Sequence, residues 1–405
     1  MKTHLCALQR IDIIDAFRGF ALVGIVLTHM LEQYLGTMPT ESIAAGMRQG
    51  PLDGVIEGLV GLLVRGKFFA LFSFLFGLSF FIQMDRAAQK GVNYQGRFLW
   101  RIVLLLIIGY VHSLFYRGDI LTIYAVLAFF LVPFYRASNR TLLVVSALLI
   151  LGAGRYFVFA LNGGQPLLPY GDMSPELSYN QAYYDALLSG SLFDVIGQNM
   201  ILGHLAKLEF QINVFGRWYL TFAFFLIGLW VGRVRMFERL GEWHARLRRA
   251  LWVSALLSVV FLVSAALLFG QPVEGEPMAF DSWRKMTALT AFDLFNCSLA
   301  VVLLCAFVLI YRRPAGERIL SHLAPYGRMA LSSYIMQSLA GTFLFYHFGL
   351  GMLGAATNTQ TLGIAVVIIA FQIWLSAAWL SRFRYGLIEW LWRSGTKLKW
   401  QAMAP

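Results

Sequence analysis

Long apolar runs broken by short polar stretches dominate the chain. Ten runs stand out, at about residues 14–34, 60–84, 99–116, 120–136, 141–161, 212–232, 250–270, 288–311, 328–348 and 361–381. An α-helix needs roughly 20 apolar residues to cross hydrocarbon, and it satisfies its own backbone hydrogen bonds there. The pattern therefore predicts an all-α, polytopic helical bundle of about ten transmembrane helices, built as a single integral membrane domain over residues 1–405. The first run has no small-residue cleavage site, so it is expected to be retained as a helix. No clean internal repeat is visible.

The charges between the runs predict an orientation. Arg86, Lys90, Arg97 and Arg101 follow the second run, Arg136 and Arg140 the fourth, and "RVRMFERLGEWHARLRR" the sixth. Further basic stretches follow the eighth run and fill the C-terminal tail. All lie on one side, which the positive-inside rule makes cytoplasmic, and both termini join them. The segment 162–211 on the other side carries Asp172, Glu176, Asp185, Asp194 and Glu209 against a single Lys207. Its spacing of Leu, Phe and Ile over 179–208 predicts an external cap lying against the membrane surface.

Composition agrees with a bilayer environment: 59% of residues are hydrophobic and only 13% charged. The formal charge of +12 does not point to nucleic acid, because the basic residues sit in loops between apolar runs. Cys6, Cys297 and Cys305 lack metal-ligand spacing, and no metal is expected. The expected localisation is a bacterial cell (inner) membrane, with the lipid bilayer as the immediate partner.

Ionisable residues in hydrocarbon cost roughly 2.5–3.5 kcal/mol each on insertion scales, so those in the apolar runs or at their outer mouth each need a reason. The candidates are Arg18, His29, Arg65, Lys67, His112, Arg117, Asp119, Arg155 and Asp293. In "IDAFRGFALVGIVLTHM", Arg18 and His29 are eleven residues apart, about three helical turns, so they share a face roughly 16 Å apart along the axis. Arg18 also has Asp15 at i−3 as an ion-pair partner. In "GYVHSLFYRGDILTIYA" a tight turn around Gly118 brings His112, Arg117, Asp119 and Tyr124 to one mouth. A His112–Asp119 pair there meets the requirement for a general base, whereas an Arg117–Asp119 pair would merely shape the turn. Lys67 opens a Phe-rich run, either snorkelling to headgroups or stabilising negative charge. Arg328, Ser332, Tyr334 and Gln337 in "YGRMALSSYIMQS" fit a polar ligand lining or helix–helix contact.

Five blocks, "DAFRGFALVGI", "GKFFALFSFLFG", "RGDILTIYA", "GRMALSSYIMQS" and "FRYGLIEWLWR", occur in the order of the signature blocks of the YeiB-like family. That bacterial multi-pass membrane family is catalogued as a domain of unknown function, and the resemblance runs over about residues 10–400. It is similar, at superfamily level, to transmembrane acyltransferases that O-acetylate surface polysaccharides or N-acetylate heparan glucosaminide. The polysaccharide group carries an Arg, ten residues, then a His in its first helix, which Arg18 and His29 reproduce. The resemblance implies acyl-CoA as cytoplasmic donor and a small-molecule, lipid or glycan acceptor on the far side. It casts Arg18 and Arg328 as binding CoA phosphates, His29 or His112 as base, Asp119 as its orienting partner, and Lys67 or Arg117 at the oxyanion. A transporter or flippase of a small amphipathic metabolite is the alternative, against which few broken helices are visible in the sequence.

Overall fold

A computed structural model describes residues 12–165, 167–168, 178–270 and 280–404; Cys6, Asp172 and Glu176 lie outside the described residues. Among these the chain is helical, with no strand. The order is α1 (Asp12–Leu31), α2 (Glu41–Met47), α3 (Pro51–Leu63), α4 (Phe68–Ala88), α5 (Gln95–Phe115), α6 (Leu121–Phe134), α7 (Asn139–Ile150), α8 (Ala153–Asn162), α9 (Ser178–Leu188) and α10 (Leu192–Met200). There follow α11 (Leu202–Ile212), α12 (Arg217–Arg233), α13 (Leu240–Phe269), α14 (Trp283–Tyr311), α15 (Pro314–Leu320), α16 (Ala324–Arg328), α17 (Ala330–Phe345), α18 (Asn358–Leu380) and α19 (Leu387–Lys397).

Among the described residues six helical segments are long and apolar enough to cross a membrane, or eight if each of two bent pairs is one span. The expected runs at 120–136 and 328–348 form helices of 14 and 16 residues, shorter than a straight span. The bends are the main departure from the expected pattern. α7 and α8 meet at 47°, and α11 and α12 at 68°. Gly152 breaks the first pair by adopting φ +84°, a left-handed conformation that costs glycine little. A third interruption separates α3 from α4, where Gly66 has φ +85°.

Burial follows the apolar pattern. α13 packs along α14 and turns Trp252, Leu256, Val259 and Leu267 outward, an exposed apolar face suited to lipid. The interior instead packs α1, α4, α5, α6, α12, α14 and α17 through aromatic and aliphatic side chains. α1 approaches α16 backbone to backbone: a Cβ at Gly327 would lie 1.9 Å from the Asp15 carbonyl oxygen. This contact seats Arg18 beside the segment that leads into α17.

The bend between α11 and α12 is held by one buried guanidinium. Arg155 Nε donates to the Val214 carbonyl at 2.7 Å, Nη1 to Thr290 Oγ1 at 2.8 Å, and Nη2 to Asp293. α9, α10 and α11 form a packed cap over one end of the bundle. Tyr183 donates to the Leu35 carbonyl at 2.8 Å, Asn199 Nδ2 to that of Leu114 at 3.2 Å, and the His347 backbone N–H to that of Leu187 at 2.9 Å.

Candidate functional site

A cavity of about 460 Å³ lies among α1, α4, α5, α6, α17 and α19. Arg18, Arg86, Arg101, Arg328 and Arg393 line it, together with Phe72, Phe76, Leu121, Tyr124 and Tyr334. On α4, Arg86 and Phe72 are fourteen residues apart, so the lining extends over about 21 Å. On α4 itself, Arg86 stands at one end of this lining and Phe72 and Phe76 at the other. Arg18 is fixed by Asp15 at 2.7 Å, Ser79 Oγ at 3.1 Å and the Gly327 carbonyl at 3.5 Å. The ion pair with Asp15 and the place in a cavity are compatible: both hold for the same side chain.

The loop-charge pattern pointed to Arg86 and Arg101 only as topology markers, yet both line the cavity. Arg101 sits 3.5 Å from the centroid of Trp392, whose Nε1 donates to the Arg101 carbonyl at 2.8 Å. This stack ties α19 to α5 and orients the guanidinium. Glu389 was also missed as a functional residue, although "FRYGLIEWLWR" displays it. Its carboxylate accepts from the backbone N–H groups of Leu331 (2.7 Å) and Ser332 (3.0 Å) and from the Ser332 hydroxyl. It therefore caps the first turn of α17. Burial pushes the Glu389 carboxyl up, and the Ser332 bonds oppose that shift. Ser332 serves this junction between α17 and α19.

Tyr334 forms the far wall of the cavity, and the histidines stand behind it. Its ring centroid is 5.2 Å from that of His112 and 6.2 Å from that of His29, and its hydroxyl accepts from the Ile120 N–H at 3.2 Å. His29 is further enclosed by Tyr34 at 5.5 Å and Tyr116 at 5.3 Å. Of the two residues on the shared face of α1, Arg18 lines the cavity, while His29 packs against Tyr334 outside that lining. Gln337 follows Tyr334 by one turn on α17 and precedes Gly341, which packs against the ring of Tyr34.

The tight α5–α6 turn brings His112 and Asp119 together, as the sequence suggests. His112 Nδ1 lies 2.7 Å from Asp119 Oδ1, and both side chains are almost fully buried. Asp119 also accepts from Leu121 N (3.1 Å), Thr122 N (3.0 Å) and Thr122 Oγ1 (2.8 Å), so it caps α6 while holding the imidazole. Asp119 lies in the turn, outside both helices. Burial alone would raise its carboxyl, but the Lys207 ammonium, His112 and the Thr122 N–H outweigh it and bring it down to about 2. An ionised carboxylate only accepts hydrogen bonds, so His112 Nδ1 carries the proton in this pair. Among the described residues His112 Nε2 is buried with no protein partner, as are His29 Nδ1, Tyr34 Oη, Ser333 Oγ and both amide atoms of Gln337. Buried polar atoms are rarely left so. These atoms lie on α1, α5 and α17 and in the turn that follows α1.

Two candidates have other duties. Arg117 Nε donates to Asn199 Oδ1 at 3.3 Å, and its guanidinium covers the ring of Tyr183 at 3.3 Å, so it docks the cap. Lys67 is fully buried and donates to the carbonyls of Gly61 (3.3 Å) and Arg65 (3.0 Å), 4.5 Å from the Phe295 ring centroid. It satisfies the C-terminal end of α3 and compensates its dipole. Among the described residues, the Lys207 ammonium reaches Asp119 at 3.7 Å. The available sequence signal was its isolation as the single lysine of an acidic segment.

The apolar helices and the buried polar centre define a helical membrane protein with a His–Asp pair behind a basic cavity. Residues 231–399 match a family described as a protein of unknown function, DUF418. At 29% identity, with 98% of this chain and 96% of the relative covered, the chain is similar to uncharacterized protein YxaH of Bacillus subtilis (strain 168). At 28% identity, with 96% and 94% covered, it is similar to an uncharacterized 39.9 kDa protein in the amylase 3′ region of Bacillus acidopullulyticus. At 25% identity, with 96% and 97% covered, it is similar to uncharacterized protein YeiB of Escherichia coli (strain K12). The YeiB-like resemblance read from the five motif blocks is borne out.

Proposed function

We propose that the protein is an acyl-CoA-dependent membrane acyltransferase. In this reading the chain crosses a bacterial inner membrane ten times, with both termini and the arginine end of the cavity cytoplasmic and the α9–α11 cap external. Arg18 and Arg328, joined by Arg86, Arg101 and Arg393, receive the CoA phosphates through charge-assisted hydrogen bonds. The thioester reaches Tyr334. An acceptor hydroxyl or amine gives its proton to His112 Nε2 as its oxygen or nitrogen attacks the thioester carbonyl. The carbon–sulfur bond then breaks, and the CoA sulfur takes the proton back from His112. His29 and Gln337 hydrogen-bond the reacting groups, and Asp119 holds the tautomer.

The observation carrying this reading is the buried His112–Asp119 pair, with Nε2 unengaged, one aromatic ring away from a cavity lined by five arginines. Purified protein should bind acetyl-CoA by calorimetry and, with water standing in for the acceptor, slowly hydrolyse it, releasing acetate and CoA thiol. His112→Asn should reduce that release about 10²–10⁴-fold while leaving binding intact. Absence of acetyl-CoA binding overturns the reading.

The bent pairs α7–α8 and α11–α12 favour a second reading, since discontinuous helices are typical of carriers of small metabolites. Uptake into proteoliposomes that requires Asp119 and ignores CoA would select it.

A further inference from the structure

The cap contributes a charge to the centre that it covers. Lys207 projects from α11, its side chain only 10% exposed, and Nζ donates to Thr122 Oγ1 at 3.2 Å. The Thr122 hydroxyl in turn donates to Asp119 Oδ2 at 2.8 Å, and the ammonium stands 3.7 Å from that oxygen. Donor directions therefore run consistently from Lys207 through Thr122 to Asp119, while His112 donates to Oδ1. The carboxylate is shared between a fixed cation and an imidazole.

We propose that Lys207 is a positioning residue: docked by the cap, it satisfies the Asp119 charge so that His112 is not required as the counter-cation. Were Asp119 balanced by His112 alone, the imidazolium would be favoured and Nε2 would carry a proton. With an ammonium already present, a second positive charge beside it is opposed, and the Nε2 lone pair stays available. The proposal rests on the reading of His112 as a base. It adds that the base is complete only with the cap in place.

Other groups face this pair, and all remain in the variants below. They are His29 on α1, Tyr34 beyond it, Tyr116 and Arg117 in the α5–α6 turn, His204 on α11 and Tyr334 on α17.

The test follows individual histidines by hydrogen–deuterium exchange at the imidazole C2 in full-length purified protein, as a function of pH. Lys207→Gln keeps a donor for Thr122 but removes the charge; Lys207→Arg keeps both. In Lys207→Gln the His112 midpoint should move up by about one pH unit or more, and in Lys207→Arg it should stay near the wild-type value. A His112 midpoint unmoved in Lys207→Gln overturns the proposal, and so does an equal shift in both variants. Backbone exchange over residues 192–212 is read on the same samples. Equal loss of protection there in both variants assigns Lys207 to docking alone and also overturns it. Acetyl-CoA thiol release is measured in parallel. A shifted His112 in a protein that never binds acetyl-CoA leaves the charge assignment standing and removes the acyl-transfer reading.

Discussion

Two buried charge clusters invite comparison. Around Arg155, the Nε, Nη1 and Nη2 nitrogens meet Val214, Thr290 and Asp293, and Tyr219 lies 5.7 Å beneath the guanidinium. Around Asp119 the carboxylate is equally well served, but the imidazole that it holds keeps Nε2 without a partner. Both cost desolvation, and both draw attention in the sequence. What separates them is completeness: the groups around Arg155 find partners in the fold, while among the described residues His112 Nε2 finds none. Charge at depth is thus a weak indicator of function until its bonds have been followed.

The contrast can be broken most directly at Asp293. Asp293→Ala strands the Arg155 guanidinium and should cost about 3–5 kcal/mol, read as a large fall in the thermal unfolding midpoint in detergent. The double replacement Arg155→Met with Asp293→Leu should recover much of that loss. An Asp293→Ala protein with an unchanged midpoint but no thiol release would mean that the clamp is the working site.

His112→Asn should do the reverse, leaving the midpoint nearly unchanged while thiol release falls about 10²–10⁴-fold. Next in size, Arg18→Gln removes a charged donor from the cavity and should weaken acetyl-CoA binding about tenfold by calorimetry, because hydrogen bonds to charged groups contribute about 1.5–3 kcal/mol. Lys67→Met should leave that affinity unaltered.

The smallest effect concerns pH. The Asp119 carboxyl is brought from its ordinary 3.8 down to about 2 in the fold. A depressed carboxyl contributes stability that is present above its unfolded value and lost as pH falls through its folded value. Protection of α11 from backbone exchange should therefore be flat between about pH 4 and 8 and decline only toward pH 2. A decline near pH 6 would show that a histidine, not Asp119, holds the cap.

Legibility in the sequence followed the range of the interaction. The helices were readable because apolar run length is a local property, and the His112–Asp119 pair was readable because only a short turn separates its members. Lys207 lies 88 positions from Asp119, and Glu389 lies 57 from Ser332. Nothing local indicates which distant carboxylate or amide each will meet. The bend at Gly152 was hidden because a glycine in an apolar run reads as helix until its φ is known. Arg117 and Lys67 were correctly singled out as costly, but a side chain's chemistry does not reveal which of several neighbours it will satisfy.

Tyr334 also changes how insulating this molecule is at its centre. Along the perimeter roughly 30 Å of hydrocarbon resists the passage of charge. At Tyr334 a single phenol ring stands between the arginine-lined cavity and the imidazoles of His29 and His112. On the acyl-transfer reading, a group delivered through the cavity would not be carried across a membrane at all. It would have only to pass the width of one side chain, a distance set by a rotamer and not by the bilayer.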